Sequence, residues 1–230
     1  MVLVLTAPAL ASGPGAEVSA DAALTMLQDG NARFAAGKPQ HPHQDKARRV
    51  LTAAKGQAPF ATILSCSDSR APVELIFDQG VGDLFVVRVA GNVAGVDEIA
   101  SMEYAADHLH TPLLVILGHS KCGAVTAVVE KAPLHGNLAS LASKIKPAVF
   151  KARMAQRDLS GDALLAAAVK ANVQQALADL LVRSIIIKDL VKAGKLKVLG
   201  AIYDLASGKV EWLEPQPEAK ESVGGKAGAK

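Results

Sequence analysis

The sequence predicts an α/β fold: a single domain with a mainly parallel central β-sheet flanked by helices. Three short apolar runs, FATILS, DLFVVRVA and TPLLVILG, are rich in β-branched residues. Runs of this kind are typical of strands covered on both faces. Helical segments separate them, and alternating strands and helices favour a parallel sheet. With 230 residues, 50% of them hydrophobic, the chain is long enough for one such core.

The N-terminus predicts a short leader followed by a helical arm. Residues 1–16 are apolar with a small-residue pattern at Ala9–Ala11, which resembles the back half of a secretory signal peptide. The first basic residue is Arg33, so the positive segment of such a peptide is missing, and a disordered terminus is the alternative. The first interpretation makes the protein periplasmic, and the second makes it cytoplasmic.

The folded domain is predicted over residues 17–214, and it begins with the arm. Ser19 is a candidate N-cap for a helix over 19–36, interrupted at Gly30, and a second short helix is expected over 47–54. The first helix carries an apolar stripe without an obvious partner in its own chain, formed by Leu24, Leu27 and Phe34.

The rest of the chain predicts further helices, a C-terminal hairpin and a tail. EIASMEYAADHL predicts a helix between the second and third strands, and a polar connection after CGAVTAVVEKA precedes a long helix from Asp162 to about Lys192. KLKVLGAIYDL and KVEWLE predict a C-terminal hairpin turning at 206–208. Residues 215–230 contain one Val as their only large apolar residue and predict a disordered tail.

Composition argues against several classes of function. The net charge is +3 and the basic residues are scattered, which disfavours nucleic acid as a partner. No apolar stretch approaches the ~18 residues of a membrane span. Two cysteines do not make a disulfide scaffold. They could form one bridge, stay as thiols or bind a metal.

The two cysteines and one histidine favour the metal. Cys66 and His119 each follow an apolar run, and the carboxyl ends of parallel strands meet at one edge of a sheet. Cys122 lies three residues after His119 at a predicted helix start, which places both side chains on one face. A Cys₂His set suits zinc and leaves the fourth position that catalysis needs. Two buried thiols and a core-edge histidine are the simpler alternative.

A carboxylate and a guanidinium follow the first cysteine. Asp68 lies two residues after Cys66, so in extended backbone both side chains point the same way. Asp68 either becomes a fourth zinc ligand or accepts a hydrogen bond from water on the metal. Arg70 would decide between these roles, because a bidentate guanidinium–carboxylate pair fixes the direction of the carboxylate.

The pair of motifs CSDSR and GHSKCG resembles the β-class carbonic anhydrases, and the resemblance extends from about Glu17 to Trp212. It implies a zinc cofactor, an Asp–Arg dyad beside it, and reversible hydration of CO₂ to bicarbonate and a proton. It also implies a homodimer or a dimer of dimers. The residues that carry zinc and dyad are Cys66, His119, Cys122, Asp68 and Arg70.

The same resemblance extends to substrate and proton-transfer residues. It implies that Phe85 and Tyr104 form pocket walls supplied across a dimer interface, and that His108 with Tyr104 moves the proton. A surface histidine is the alternative for His108. The substrate-binding residues implied are Gln57, Phe85, Tyr104 and Gly123.

One regulatory feature of the family is incomplete in this sequence. Some members are shut down by bicarbonate at a non-catalytic site made of Trp, Arg and Tyr. Arg88 and Tyr203 match the Arg and Tyr, but Ile63 stands where the Trp would be. We therefore expect this switch to be absent.

Two other functions remain compatible with the sequence: a CS₂ or COS hydrolase of the same fold, and a non-catalytic zinc or redox-sensing module. Asp68 and Arg70 favour an enzyme, because a structural zinc site normally closes with a fourth Cys or His.

Overall fold

A computed structural model describes residues 18–214, in which a five-stranded sheet has the order β2-β1-β3-β4-β5. The first four strands are parallel, and β5 pairs antiparallel with β4 as the predicted hairpin. The predicted fold class is confirmed. The strands are β1 (Ala61–Ser65), β2 (Leu84–Arg88), β3 (Leu113–His119), β4 (Lys197–Tyr203) and β5 (Val210–Trp212).

Helices cover both faces of this sheet. A short 3₁₀ turn, Ala90–Asn92, follows β2, and a π-helical turn, Tyr104–His108, continues α4. The helices are α1 (Ala20–Ala35), α2 (Lys46–Lys55), α3 (Val73–Ile76), α4 (Val96–Glu103), α5 (Gly123–Val129), α6 (Leu138–Ala155), α7 (Gly161–Arg183) and α8 (Ile185–Lys192).

The central strands carry the core. Every residue of β1 and β3 is buried, as their continuous apolar sequences predict. One face of the sheet packs with α1 and α3, and the other packs with α4 and α7. The outer strand β2 is only half-buried. The carboxyl ends of β1 and β3 therefore lie side by side at one edge of a rigid sheet.

The apolar stripe of α1 covers the chain's own sheet, which corrects the expectation that it lacks a partner. Leu27 is fully buried in the core, and Phe34 packs against it with its ring 6.4 Å from Tyr203. The helix is continuous through Gly30, and the glycine serves close packing, since a Cβ there would lie 1.8 Å from the Phe77 carbonyl oxygen. Glycine permits this close approach.

The helix α2 behaves differently, because none of its residues is buried. Asp45 caps it, accepting from the Arg48 backbone N–H. Its apolar residues Val50 and Leu51 are 59% and 51% exposed. Within the described chain, the unpartnered apolar surface of the arm is therefore on α2.

Two differences from the predicted helices lie in the second half. The polar connection after α5 contains the 18-residue helix α6, whose lysines alternate with buried apolar positions around Pro147. The long helix predicted to Lys192 breaks at Ser184, which ends α7 and caps α8 by accepting from the Ile187 backbone N–H.

Residues 1–17 and 215–230, including the predicted leader and tail, lie outside the described residues. Across the described part of the chain, no helix combines the length and apolarity needed to cross a membrane.

Candidate metal centre

Two neighbouring strands and one helix bring the predicted ligands together. Cys66 directly follows β1, His119 ends β3, and Cys122 is the N-cap residue of α5. Because β1 and β3 pair in parallel, Cys66 and His119 emerge at the same edge of the sheet. The turn after β3 then returns Cys122 to that edge.

The three side chains form a buried group. Their ligand atoms all lie within 4.8 Å of one another, and the two sulfurs are 4.0 Å apart. Two sulfurs bound to tetrahedral zinc at about 2.3 Å would lie roughly 3.8 Å apart. The spacing therefore fits zinc and excludes a disulfide in this state, since the S–S bond is about 2.05 Å.

His119 offers one nitrogen to the centre. Its Nδ1 donates to the Ser120 carbonyl oxygen at 2.9 Å, and Ser120 is fixed to β4 through the Tyr203 carbonyl. This leaves Nε2 as the lone-pair nitrogen, and Nε2 is buried without a hydrogen-bond partner among the described residues. A buried nitrogen without a hydrogen-bond partner beside two sulfurs fits the role of a metal ligand.

The two thiols interact strongly. The pKa of Cys66 is lowered, first because the Cys122 thiol donates to it; burial opposes this, and His119 and the Gly91 N–H lower the pKa by smaller amounts. The same interaction, with burial, raises the pKa of Cys122. The two sulfurs therefore share one proton, which stays on Cys122. A divalent cation would allow both sulfurs to be thiolates, as zinc ligation requires.

Asp68 is held by Arg70 beside the centre. The Arg70 Nε and Nη2 donate to the two carboxylate oxygens at 2.9 and 2.8 Å, and the Arg70 backbone N–H donates to Oδ1 at 2.9 Å. These bonds hold the pKa of Asp68 well below its usual range. The predicted dyad is therefore formed.

The geometry does not support Asp68 as a metal ligand in this state. It lies outside the group of ligand atoms, and its nearest carboxylate oxygen is 3.8 Å from His119 Nε2. Both carboxylate oxygens are already engaged by the bidentate bond to Arg70. Asp68 thus lies beside the group with both oxygens bound to Arg70, an arrangement that favours a hydrogen-bond acceptor over a ligand.

Arg88, at the end of β2, holds the backbone of the Cys66–Asp68 loop. Its Nε donates to the Cys66 carbonyl at 3.0 Å and its Nη2 donates to the Asp68 carbonyl at 2.6 Å. The sequence linked Arg88 only with the bicarbonate switch. An arginine at the same sheet edge as Cys66 is the signal that could have indicated this role.

The aromatic residues implied for substrate and proton transfer form a separate row. The Phe85 and Tyr104 rings are 6.0 Å apart, and the Tyr104 and His108 rings are 5.3 Å apart. Phe85 pairs with Thr62, four residues before Cys66. At about 3.3 Å per residue, this row starts roughly 13 Å along the sheet from the metal ligands of its own chain.

Gln57 and Gly123 are placed differently from this row. Gln57 is exposed in the segment between α2 and β1. Gly123 is the first residue of α5, directly after Cys122, and has open space where a Cβ would be. Gly123 thus lies beside the centre, while Gln57 belongs to the arm.

Sequence reasoning missed the backbone partners of the ligands. The Ser120 carbonyl orients His119, and the Gly91 N–H donates to the Cys66 sulfur at 3.3 Å. A backbone carbonyl carries no residue signature. Gly91 had one in principle, because it follows a strand and has a positive φ of 74° that favours glycine.

The sequence comparisons agree with this geometry. The sequence model of the carbonic anhydrase family matches residues 61–210. A protein named carbonic anhydrase 2 from Mycobacterium tuberculosis is 40% identical over 192 residues, which are 82% of this chain and 90% of that protein. A carbonic anhydrase from Mycolicibacterium smegmatis is 39% identical over 83% of this chain and 91% of its own length.

Solved structures show the same fold. A β-carbonic anhydrase of Aspergillus fumigatus has a TM-score of 0.69 and 29% identity, over 86% of this chain and 92% of that chain. Tetrameric β-carbonic anhydrases of Sordaria macrospora give a TM-score of 0.67 at 25% identity, over 83% and 95%. Fold, ligand group and relatives agree, and the chain belongs to the carbonic anhydrase family, in its β class.

Proposed function

We propose that this protein catalyses the zinc-dependent, reversible hydration of CO₂ to bicarbonate and a proton. The observation that carries the proposal is the buried Cys66–His119–Cys122 group with its unpartnered Nε2, facing a carboxylate fixed by Arg70. Relatives named carbonic anhydrase support it at 40% and 39% identity.

The chain's own residues define what the site does. Cys66, His119 and Cys122 would hold zinc, which supplies Lewis acidity that lowers the pKa of water in its open position. Asp68 accepts a hydrogen bond at that position and so orients the attacking oxygen. Arg70 lowers the pKa of Asp68 further below neutral and so makes it a weaker base, and it therefore orients the nucleophile without taking its proton.

The released proton needs a route to solvent. Tyr104 and His108 lie in one π-helical turn with their rings in contact, and both are exposed. A histidine titrates near neutral pH, so it can pass protons to buffer. We assign this transfer to His108.

Assembly completes the pocket. The row of Phe85, Tyr104 and His108 starts roughly 13 Å from the metal ligands of its own chain. In a dimer of this chain, each subunit would present this row to the metal group of its partner. The exposed apolar residues of α2 and the tetrameric relatives support a homodimer or a dimer of dimers.

Stopped-flow CO₂ hydration and metal analysis on one sample test the proposed function. We expect about one zinc per chain and a rate that falls when zinc is removed and returns when it is restored. CS₂ hydrolysis faster than CO₂ hydration would favour the hydrolase alternative. A metal-free protein whose two thiols oxidise reversibly to a disulfide would favour the redox module.

For the cellular location, we propose the periplasm, on the signal-like sequence of residues 1–16. The test is fractionation of cells expressing the full chain, followed by N-terminal sequencing of the recovered protein. Recovery in the cytoplasmic fraction with residues 1–16 intact would contradict this location.

A further inference from the structure

A buried amide lies on the otherwise apolar inner face of α7. Asn172 is 2% exposed, and its neighbours one turn away, Ala168, Val169 and Ala176, are also buried. An amide left without a hydrogen-bond partner in such a place destabilises the folded state. Asn172 therefore needs a partner, and its Nδ2 donates to the Gly91 carbonyl oxygen at 2.7 Å.

Gly91 connects this amide to the metal centre. Its N–H donates to the Cys66 sulfur at 3.3 Å, so one residue accepts from Asn172 and donates to a metal ligand. Its φ of 74° is a conformation that side chains disfavour, and a Cβ would lie 2.8 Å from Ile145 Cδ1. The position of the Gly91 N–H thus depends on what holds this turn.

We propose that Asn172 is a positioning residue of the metal centre: by binding the Gly91 carbonyl, it keeps the Gly91 N–H on the Cys66 sulfur. The inference rests on the zinc site of the proposed function. Asn172 itself touches neither the ligand atoms nor the substrate, and it acts through the backbone of Gly91.

The hydrogen bond changes how the sulfur binds a metal. An N–H directed at a ligand sulfur stabilises the sulfur lone pairs and fixes the direction in which they point. Loss of an outer-shell partner of this kind typically lowers metal affinity by about 10–100-fold. Loss of the N–H also raises the energy of the sulfur lone pair, so a sulfur-to-metal charge-transfer band moves to longer wavelength.

The test replaces Asn172 with Leu, which has a similar size and no donor. In the cobalt(II)-substituted protein, we expect the thiolate-to-cobalt band to shift to longer wavelength. In the zinc protein, we expect metal loss to a chelator to be about tenfold faster. Gly91→Ala, which displaces the N–H from the other side, should shift the band in the same direction. Asn172→Ala serves if the Leu variant does not fold.

Asn31→Leu is the matched control. Asn31 is also a buried amide on a helix, and it donates to the Ile76 and Gly208 carbonyls at 3.1 and 2.9 Å, outside the metal centre. The Asn31→Leu substitution should lower Tm without shifting the cobalt band. An unchanged band and chelation rate in Asn172→Leu, or equal shifts in both variants, overturns the proposal. A wild-type protein that takes up no metal overturns the proposed function and this inference together, which distinguishes the two failures.

Discussion

At the scale of single residues, the metal centre depends on three ligands, and few other side chains are placed to replace one of them. Cys122 is 1% exposed, and among the described residues no Asp, Glu, His or Cys other than Cys66 and His119 joins it in the ligand group. Cys122→Ala should therefore remove most of the bound zinc and nearly all CO₂ hydration, measured by metal analysis and stopped flow. Ser67→Ala, an exposed neighbour of Cys66, is the control and should keep full occupancy. Full zinc in Cys122→Ala would refute the ligand assignment.

Proton transfer gives a second prediction at this scale. His108→Ala should lower kcat about tenfold in weak buffer, because the exposed imidazole that passes the proton outward is lost. Added imidazole should restore the rate. His135→Ala, in an exposed loop, is the matched control. An unchanged kcat at low buffer concentration would leave His108 as an ordinary surface histidine.

Side chains of the site were predictable from the sequence, and backbone partners were not. Cys66, His119 and Cys122 could be placed because strand ends and helix starts leave patterns in the sequence. The Ser120 carbonyl leaves none, since every residue has such a group, and the Gly91 N–H is marked only by the glycine itself, three residues after β2. Asp68 needed the structure for a different reason: only the observed bonds to Arg70 distinguish an acceptor from a ligand.

At the scale of elements, a buried carboxylate just after α3 holds the arm in place. The Asp78 side chain is fully buried, accepts from Arg33 Nε at 2.6 Å, and also accepts from the backbone N–H groups of Gln40 and His41. Burial alone would raise the pKa of Asp78, but these donors outweigh it and lower that pKa. One side chain thus fixes both the end of α1 and the segment that leads to α2.

Asp78→Asn should lower the free energy of unfolding at neutral pH by roughly 3 kcal/mol, because Arg33 loses its buried partner. Since folding lowers the pKa of Asp78, its stabilisation is present above the unfolded value of about 3.9 and is lost as the pH falls through the folded value. The difference in the free energy of unfolding between wild type and Asp78→Asn should therefore become smaller below about pH 4. Urea unfolding across pH measures it.

Asp21→Asn is the comparison, because Asp21 pairs with Lys197 at 2.7 Å while its side chain is 85% exposed. Its loss should cost less than about 1 kcal/mol. Equal effects of the two substitutions would show that Asp78 does not fix the arm.

The elements that the sequence mispredicted have physical causes. In α6, lysines and Pro147 interrupt the apolar pattern, so the sequence of this helix resembles a polar connection although several of its positions are buried. The stripe on α1 was predicted correctly as apolar, but periodicity cannot tell which core a stripe enters. The exposed face of α2 follows from the structure alone, because its mean composition is polar.

At the scale of the whole molecule, the pH dependence reports whether the site is switched. Ile63 is fully buried and its side chain has no N–H to offer an anion, and Asp68 is already bound to Arg70. We expect kcat/KM to follow a single titration between about pH 6.5 and 9. A steep, multi-proton loss below about pH 8 that depends on bicarbonate would show that a switch operates without the Trp.

The exposed apolar surface of the single chain and its distant aromatic row also predict that the protein assembles. Val50 and Leu51 are exposed on a helix that buries nothing, and the aromatic row starts roughly 13 Å from its own metal ligands. The native mass at micromolar concentration should therefore be that of a dimer or a multiple of it. Leu51→Glu should raise the dimer Kd roughly 30-fold, equivalent to about 2 kcal/mol, and lower activity in parallel. Phe150→Glu, which changes an exposed apolar residue of α6, should leave the dimer intact. A fully active monomer would contradict a pocket shared between subunits, whereas activity that rises with protein concentration in Leu51→Glu is the outcome that a shared pocket requires.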